Sequence, residues 1–138
     1  MADLALTACA PTDANTRMIS GVVGEAGGVT LGDTLYKLAA DAKYYLADAD
    51  AVATAKVVGM CCLAASLNAA TIIAIGGNVT TDNVGTTGTT FYQSHNAGQI
   101  CLRSDLDAGA AYYVTLVGTY STGTVLALGI RATGIAAP

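Results

Sequence analysis

The chain has 138 residues and a formal net charge of −4, and its charged residues make up only 12%, about half of the roughly 25% usual in globular domains. The length suits one domain with one core, and the six scattered basic residues exclude the clustered cations that nucleic-acid binding requires. With 27 alanines, 18 threonines and 16 glycines against two prolines, one phenylalanine and no tryptophan, a helical bundle is disfavoured. Small and β-branched side chains, many short strands and tight turns are expected instead.

Residues 1–16 carry no strong core pattern and read as an extended N-terminal arm, with Pro11-Thr12-Asp13-Ala14-Asn15 as a loop. The opening has no positive n-region and its apolar stretch breaks at Thr7 and Pro11, so no secretory signal is expected. The single β domain is placed at 17–138. Its first strand is Arg17–Gly24, turned by Glu25-Ala26-Gly27-Gly28. Thr34–Leu38 and Lys43–Leu46 alternate with period two around Ala40-Asp41-Ala42 and predict a hairpin. Asp48–Ala55 has helix-forming composition but only enough length for a helical turn.

Lys56–Leu63 is a continuous apolar run of the kind expected from a strand buried on both faces. Ala70–Ile75 follows and is expected to end in a Gly76-Gly77-Asn78 turn. Asp82–Gly88 reads as loop, and Thr89–Gln93 and Gln99–Arg103 as short strands. Ala111–Thr119 and Thr124–Arg131 form two strands joined by a hairpin connection at Tyr120-Ser121-Thr122-Gly123. Eight or nine short strands at this spacing give an all-β fold, a small sandwich or barrel of jelly-roll-like kind.

Mean hydropathy is +0.51, and Val57–Thr81 and Ala108–Ile130 carry no charge. Both are broken by turn residues, so each reads as two β runs rather than a membrane helix. Cys9, Cys61, Cys62 and Cys101 lack metal-site spacing, and adjacent Cys61 and Cys62 point to opposite faces of a strand. They read as free, mostly buried thiols acting as small apolar residues.

His95 is the only histidine and sits in Ser94-His95-Asn96, where neighbouring side chains diverge too far for a nucleophile and base. It reads as an exposed turn residue. Asp48/Asp50 and Asp105/Asp107 lack the rest of a calcium loop and read as solvated turns. Gly24–Gly28 and Gly85–Gly88 lack the Lys-Ser/Thr ending of a phosphate loop and read as turn glycines. Tyr44-Tyr45 and Tyr112-Tyr113 each put one ring on either sheet face, one packed inside and one free for an interface. No enzyme activity, metal or cofactor is expected.

The segments Met1–Ala8, Gly24–Tyr36, Tyr44–Asp50, Val57–Met60, Tyr113–Gly118 and Leu126–Ile130 form a pattern of turns and strands along nearly the whole chain. Together they resemble the capsid cement, or decoration, proteins of tailed bacteriophages. The middle of the chain, at Cys61-Cys62 and Asp82–Thr90, departs from that pattern. The resemblance implies a structural protein on the outer surface of an icosahedral virion, made in the bacterial cytoplasm. Its partners would be neighbouring copies of the major capsid protein and, as dimer or trimer, itself, with no nucleic acid or membrane bound. The arm would then reach a neighbour through Leu4, Leu6, Thr7 and Pro11. A glycan- or receptor-binding β-module of a phage tail or surface structure is the alternative.

Overall fold

Threonines, valines and alanines alternating with polar residues become strand along most of the chain. The structure, a computed structural model, describes residues 4–82, 87–107 and 112–136. Among them are ten strands: β1 (Cys9–Pro11), β2 (Arg17–Val22), β3 (Thr34–Lys37), β4 (Tyr44–Leu46), β5 (Gly59–Cys61), β6 (Ala70–Thr81), β7 (Thr90–Gln93), β8 (Ile100–Cys101), β9 (Tyr113–Tyr120) and β10 (Val125–Ala136). A 3₁₀ turn covers Arg103–Asp107. The all-β expectation holds, with slightly more strands than the spacing suggested. No helix among the described residues is long and apolar enough to cross a membrane.

The strand order is β4-β3-β5-β6-β10-β9-β7-β8, with β1 and β2 also paired to β6. The first half of β6 lies between β5 and β2, and its second half between β1 and β10. Each half belongs to a sheet that curls until its edges meet. In one, Val23 bridges Tyr44 and the Gly24 N–H donates to the Tyr44 carbonyl at 2.8 Å. In the other, Leu4 and Ile100 exchange backbone hydrogen bonds of 2.7 and 3.0 Å. The result is two small barrel-like rings that share β6, a way of pairing strand edges that would otherwise invite association.

The larger core, inside the second ring, contains Leu6, Cys9, Met60, Val79, Phe91, Ile100, Val117, Tyr120, Leu126 and Leu128. The smaller one contains Val23, Val29, Leu35, Tyr44, Cys61 and Ile73. On β5 Met60 enters the first and Cys61 the second, and on β6 Ala74 and Ile73 divide the same way. These strands are therefore a wall between two cores, which explains an apolar run without alternation. Only Gly59–Cys61 of the expected Lys56–Leu63 strand is laddered.

The hairpin around Ala40–Ala42 forms with Tyr36 opposite Tyr45. Ala42 takes a left-handed φ of 59°, while the Asp41 carboxylate accepts the Lys43 N–H at 2.9 Å, a local bond that offsets the cost of that backbone state. Asp48–Ala55 makes a single helical turn, closed by the Ala55 N–H on the Ala51 carbonyl at 3.0 Å. The hairpin of β9 and β10 is present and runs on to Ala136. Ala111 and residues 83–86 of the expected Asp82–Gly88 loop lie outside the described residues.

Two turns expected from the sequence lie inside strands or end in one. Gly76-Gly77-Asn78 does not end a strand, because β6 passes straight through it. Gly77, at φ +81°, holds a left-handed backbone state that favours glycine where the strand passes from one ring to the other, and a Cβ there would stand 2.9 Å from the Asn15 carbonyl oxygen. Glycine occurs inside strands as well as at turns, and composition alone does not separate the two. Tyr120, assigned to the hairpin connection, is the end of β9 and fully buried. Its ring meets Phe91 edge-on at 5.6 Å, and its hydroxyl shares a 2.7 Å hydrogen bond with Thr81.

Candidate functional site

The described part of the N-terminal segment packs onto the chain's own sheets instead of extending away from them. Leu4 is half-buried and closes the larger ring through Ile100. Leu6 is buried in the core, and β1 pairs Cys9–Pro11 with Val79–Thr81. Thr7 is exposed and donates its N–H and hydroxyl to one Asp82 carboxylate oxygen at 3.0 and 2.7 Å. These bonds, the hydroxyl first, hold the Asp82 carboxyl below its ordinary range. Pro11 is exposed at the end of β1. Of the four candidate contact residues, Thr7 and Pro11 therefore face outward, while Leu4 and Leu6 face the protein interior. The apolar residues of this segment had no visible partner in the sequence, since theirs lie far along the chain, as Ile100 does for Leu4 and Val79 for Leu6.

His95 is half-buried and not a freely exposed turn residue, because its ring stacks on Tyr112 at 4.8 Å and 9°. Ser94 is buried, and its hydroxyl accepts the Asn96 N–H at 2.9 Å. The adjacent pair is thus tied into a turn. Asp48 accepts the Asp50 N–H at 3.0 Å and the Thr54 hydroxyl at 2.7 Å, stabilising the helical turn. Asp105 accepts the Leu102 N–H at 3.3 Å, and the Asp107 side chain lies outside the described residues. No group of three or more His, Cys, Asp or Glu among the described residues could hold a metal ion. Gly24–Gly28 does form a turn, with the Gly28 N–H on the Glu25 carbonyl at 3.0 Å, while Gly85 falls outside the described residues.

The tyrosine pairs behave differently from one another. Tyr44 is buried and Tyr45 half-buried on the other side, as alternation requires. Gly21 makes this possible, since a Cβ there would collide with the Tyr44 ring. Tyr45 donates its hydroxyl to Asp41 at 2.5 Å, which raises the phenol pKa and lowers that of the carboxyl. Tyr112 and Tyr113 are both half-buried, and Tyr112 packs against the buried cluster of Ala49, Cys101 and Leu106.

Sequence reasoning missed the outward apolar side chains. Ser20 pairs with Ile72 and Val22 with Ala70, which makes Val22 and Ile72 diagonal neighbours across two strands. Each is 40% exposed, and Leu63 and Leu67 in the adjoining connection are 46% and 45% exposed. Only the register of β2 on β6 brings Val22 and Ile72 together, so no local pattern could have found that pair. Comparison with known proteins returns no matching family model, no matching curated protein and no matching solved structure.

Proposed function

We propose that the chain is a structural cement protein that binds the outer surface of a tailed-phage icosahedral capsid and bridges neighbouring major capsid proteins. The observation that carries this reading is the outward diagonal pair of Val22 and Ile72 across β2 and β6, each 40% exposed, apolar side chains on a sheet face that a partner surface would cover. It stands on a scaffold whose two rings share one continuous strand. The sequence resemblance supplies the partner. Binding that occurs only on the assembled shell stabilises that shell by mass action, and such a role draws on surface shape more than on charge.

Mixing the purified protein with expanded, undecorated capsids and imaging the particles tests the reading. Added density on the outer surface is expected, and Val22→Asp with Ile72→Asp should reduce occupancy at least tenfold while the circular dichroism spectrum stays unchanged. Bare capsids at saturating wild-type protein would overturn it. Self-association as a dimer or trimer is checked by sedimentation equilibrium.

A further inference from the structure

The Sγ atoms of Cys9 and Cys62 stand 2.8 Å apart. A disulfide bond is about 2.05 Å long, so the sulfurs need to close by only about 0.8 Å. Cys9 is buried on β1, while Cys62 follows β5, is half-buried and packs against the same core. The Cys62 backbone is held in place by its N–H on the Ile72 carbonyl at 2.7 Å. The other two thiols point elsewhere. Cys61 faces the smaller core, with Sγ 3.2 Å from the Leu63 carbonyl, and Cys101 lies in a separate cluster with Leu106 and Ala49.

We propose that Cys9 and Cys62 are a dithiol site that closes to an intramolecular disulfide on contact with a low-molecular-weight disulfide such as oxidised glutathione. The half-buried Cys62 is the entry point. Its thiolate attacks one glutathione sulfur, forms a mixed disulfide and releases one glutathione thiolate, which takes up a proton. Cys9 then gives up its proton, and its sulfur attacks Cys62 Sγ and expels the second glutathione as a thiol. The protein loses two protons and two electrons, and one glutathione disulfide takes them up to become two thiols. The hydrogen bond from Cys9 lowers the Cys62 pKa and favours its thiolate. The same contact, with burial, raises that of Cys9, and the push from the Cys62 charge disappears once Cys62 carries the mixed disulfide.

The bond would fasten the N-terminal strand to the wall between the cores and close a loop between positions 53 apart. Cross-links over loops of that length stabilise mainly by restricting the unfolded chain. Full-length protein is incubated with oxidised glutathione, then alkylated in denaturant and weighed. A loss of about 2 Da and alkylation of two of the four cysteines are expected. Cleavage at Lys56 and Asp82 separates Cys61 and Cys62 from Cys101, and fragmentation of the linked peptide should place the bond at Cys62. The melting temperature should rise by roughly 10 °C and return with dithiothreitol. Cys62→Ser should abolish the shift. The peptide map of the wild-type protein decides the question even where that variant fails to fold. Four alkylatable thiols after treatment, a bond through Cys61 or Cys101, a bond between chains, or a stable glutathione adduct on Cys62 would each overturn the proposal.

Discussion

The two cores differ in how far along the chain their parts are gathered. The smaller one draws its buried residues from Val23 to Ile73, whereas the larger one combines Leu6 and Cys9 with Leu126 and Leu128. Loop closure must precede any gain from such distant contacts, so the larger core depends on docking both ends of the chain. A segment that looks like a free arm in sequence is for this reason one of its structural strands.

Deleting residues 2–11 is the severest way to break that asymmetry. It removes Leu6 and Cys9 from the larger core and uncovers edges of β6 and β8. A loss of about 5 kcal/mol in urea unfolding is expected, a large part of the 5–15 kcal/mol typical of a domain. Hydrogen exchange should quicken in β8 before it does in β3. A deletion with unchanged stability would restore the arm reading. The proposed capsid binding is therefore better tested by point substitutions on the surface, because truncation is expected to disturb the fold.

Next in size is Tyr120→Ala, which empties the centre of the larger core and should cost about 3–5 kcal/mol. Tyr120→Phe keeps the packing on Phe91 and removes only the hydroxyl from Thr81, for a loss of about 1 kcal/mol. Equal losses for the two variants would show that the hydrogen bond, not the packing, dominates.

The joint between the rings is tested by Gln93→Leu. This buried side chain accepts from the Thr34 hydroxyl and donates to the carbonyls of Ala47, Ser94 and Gln99 at 2.8, 3.1 and 3.1 Å. Those carbonyls also receive backbone N–H bonds from Gly98, Ala49 and Ser94, so the main loss is the acceptor for Thr34. A destabilisation of about 1–2 kcal/mol is expected in urea unfolding, with Gln93→Glu at neutral pH worse, since it buries a charge and loses the donor.

The smallest effect is at the Thr7–Asp82 contact. The folded-state pKa of Asp82 lies below its ordinary value, and an unfolded Asp titrates near 3.9. Its contribution is thus fully present above pH 5 and is lost as the pH falls through the folded value. The carboxylate is half-buried, and its other oxygen, Oδ1, is shielded without a hydrogen-bond partner, which offsets the gain from the Thr7 bonds, so the stability change should be slight. Carbon-detected NMR titration should show the Asp82 pKa moving up toward its ordinary value in Thr7→Val, and an unmoved pKa would remove Thr7 as the cause.

Much of the smaller ring was legible because its signals are local. The Tyr36–Tyr45 hairpin follows from alternation and a polar turn, and the two-sided burial of Met60 and Cys61 from an apolar run without alternation. The joints were not legible. Gly77 inside a strand reads like Gly77 in a turn, and Gln93 at the centre of a buried network reads like an ordinary strand-end glutamine. Nor did the spacing of Cys9 and Cys62 announce their meeting, because two strands that both lean on β6 bring them together.

By itself the sequence determined the all-β class, the hairpins and the small-residue character of the cores, since period, turn chemistry and side-chain size act over a few residues. The tertiary structure alone decided that β6 serves two rings, that the first residues close one of them, and which apolar side chains remain outside. Those outcomes depend on register and on pairing between distant segments, where one residue of slip reverses every side chain and no local pattern records which slip is avoided.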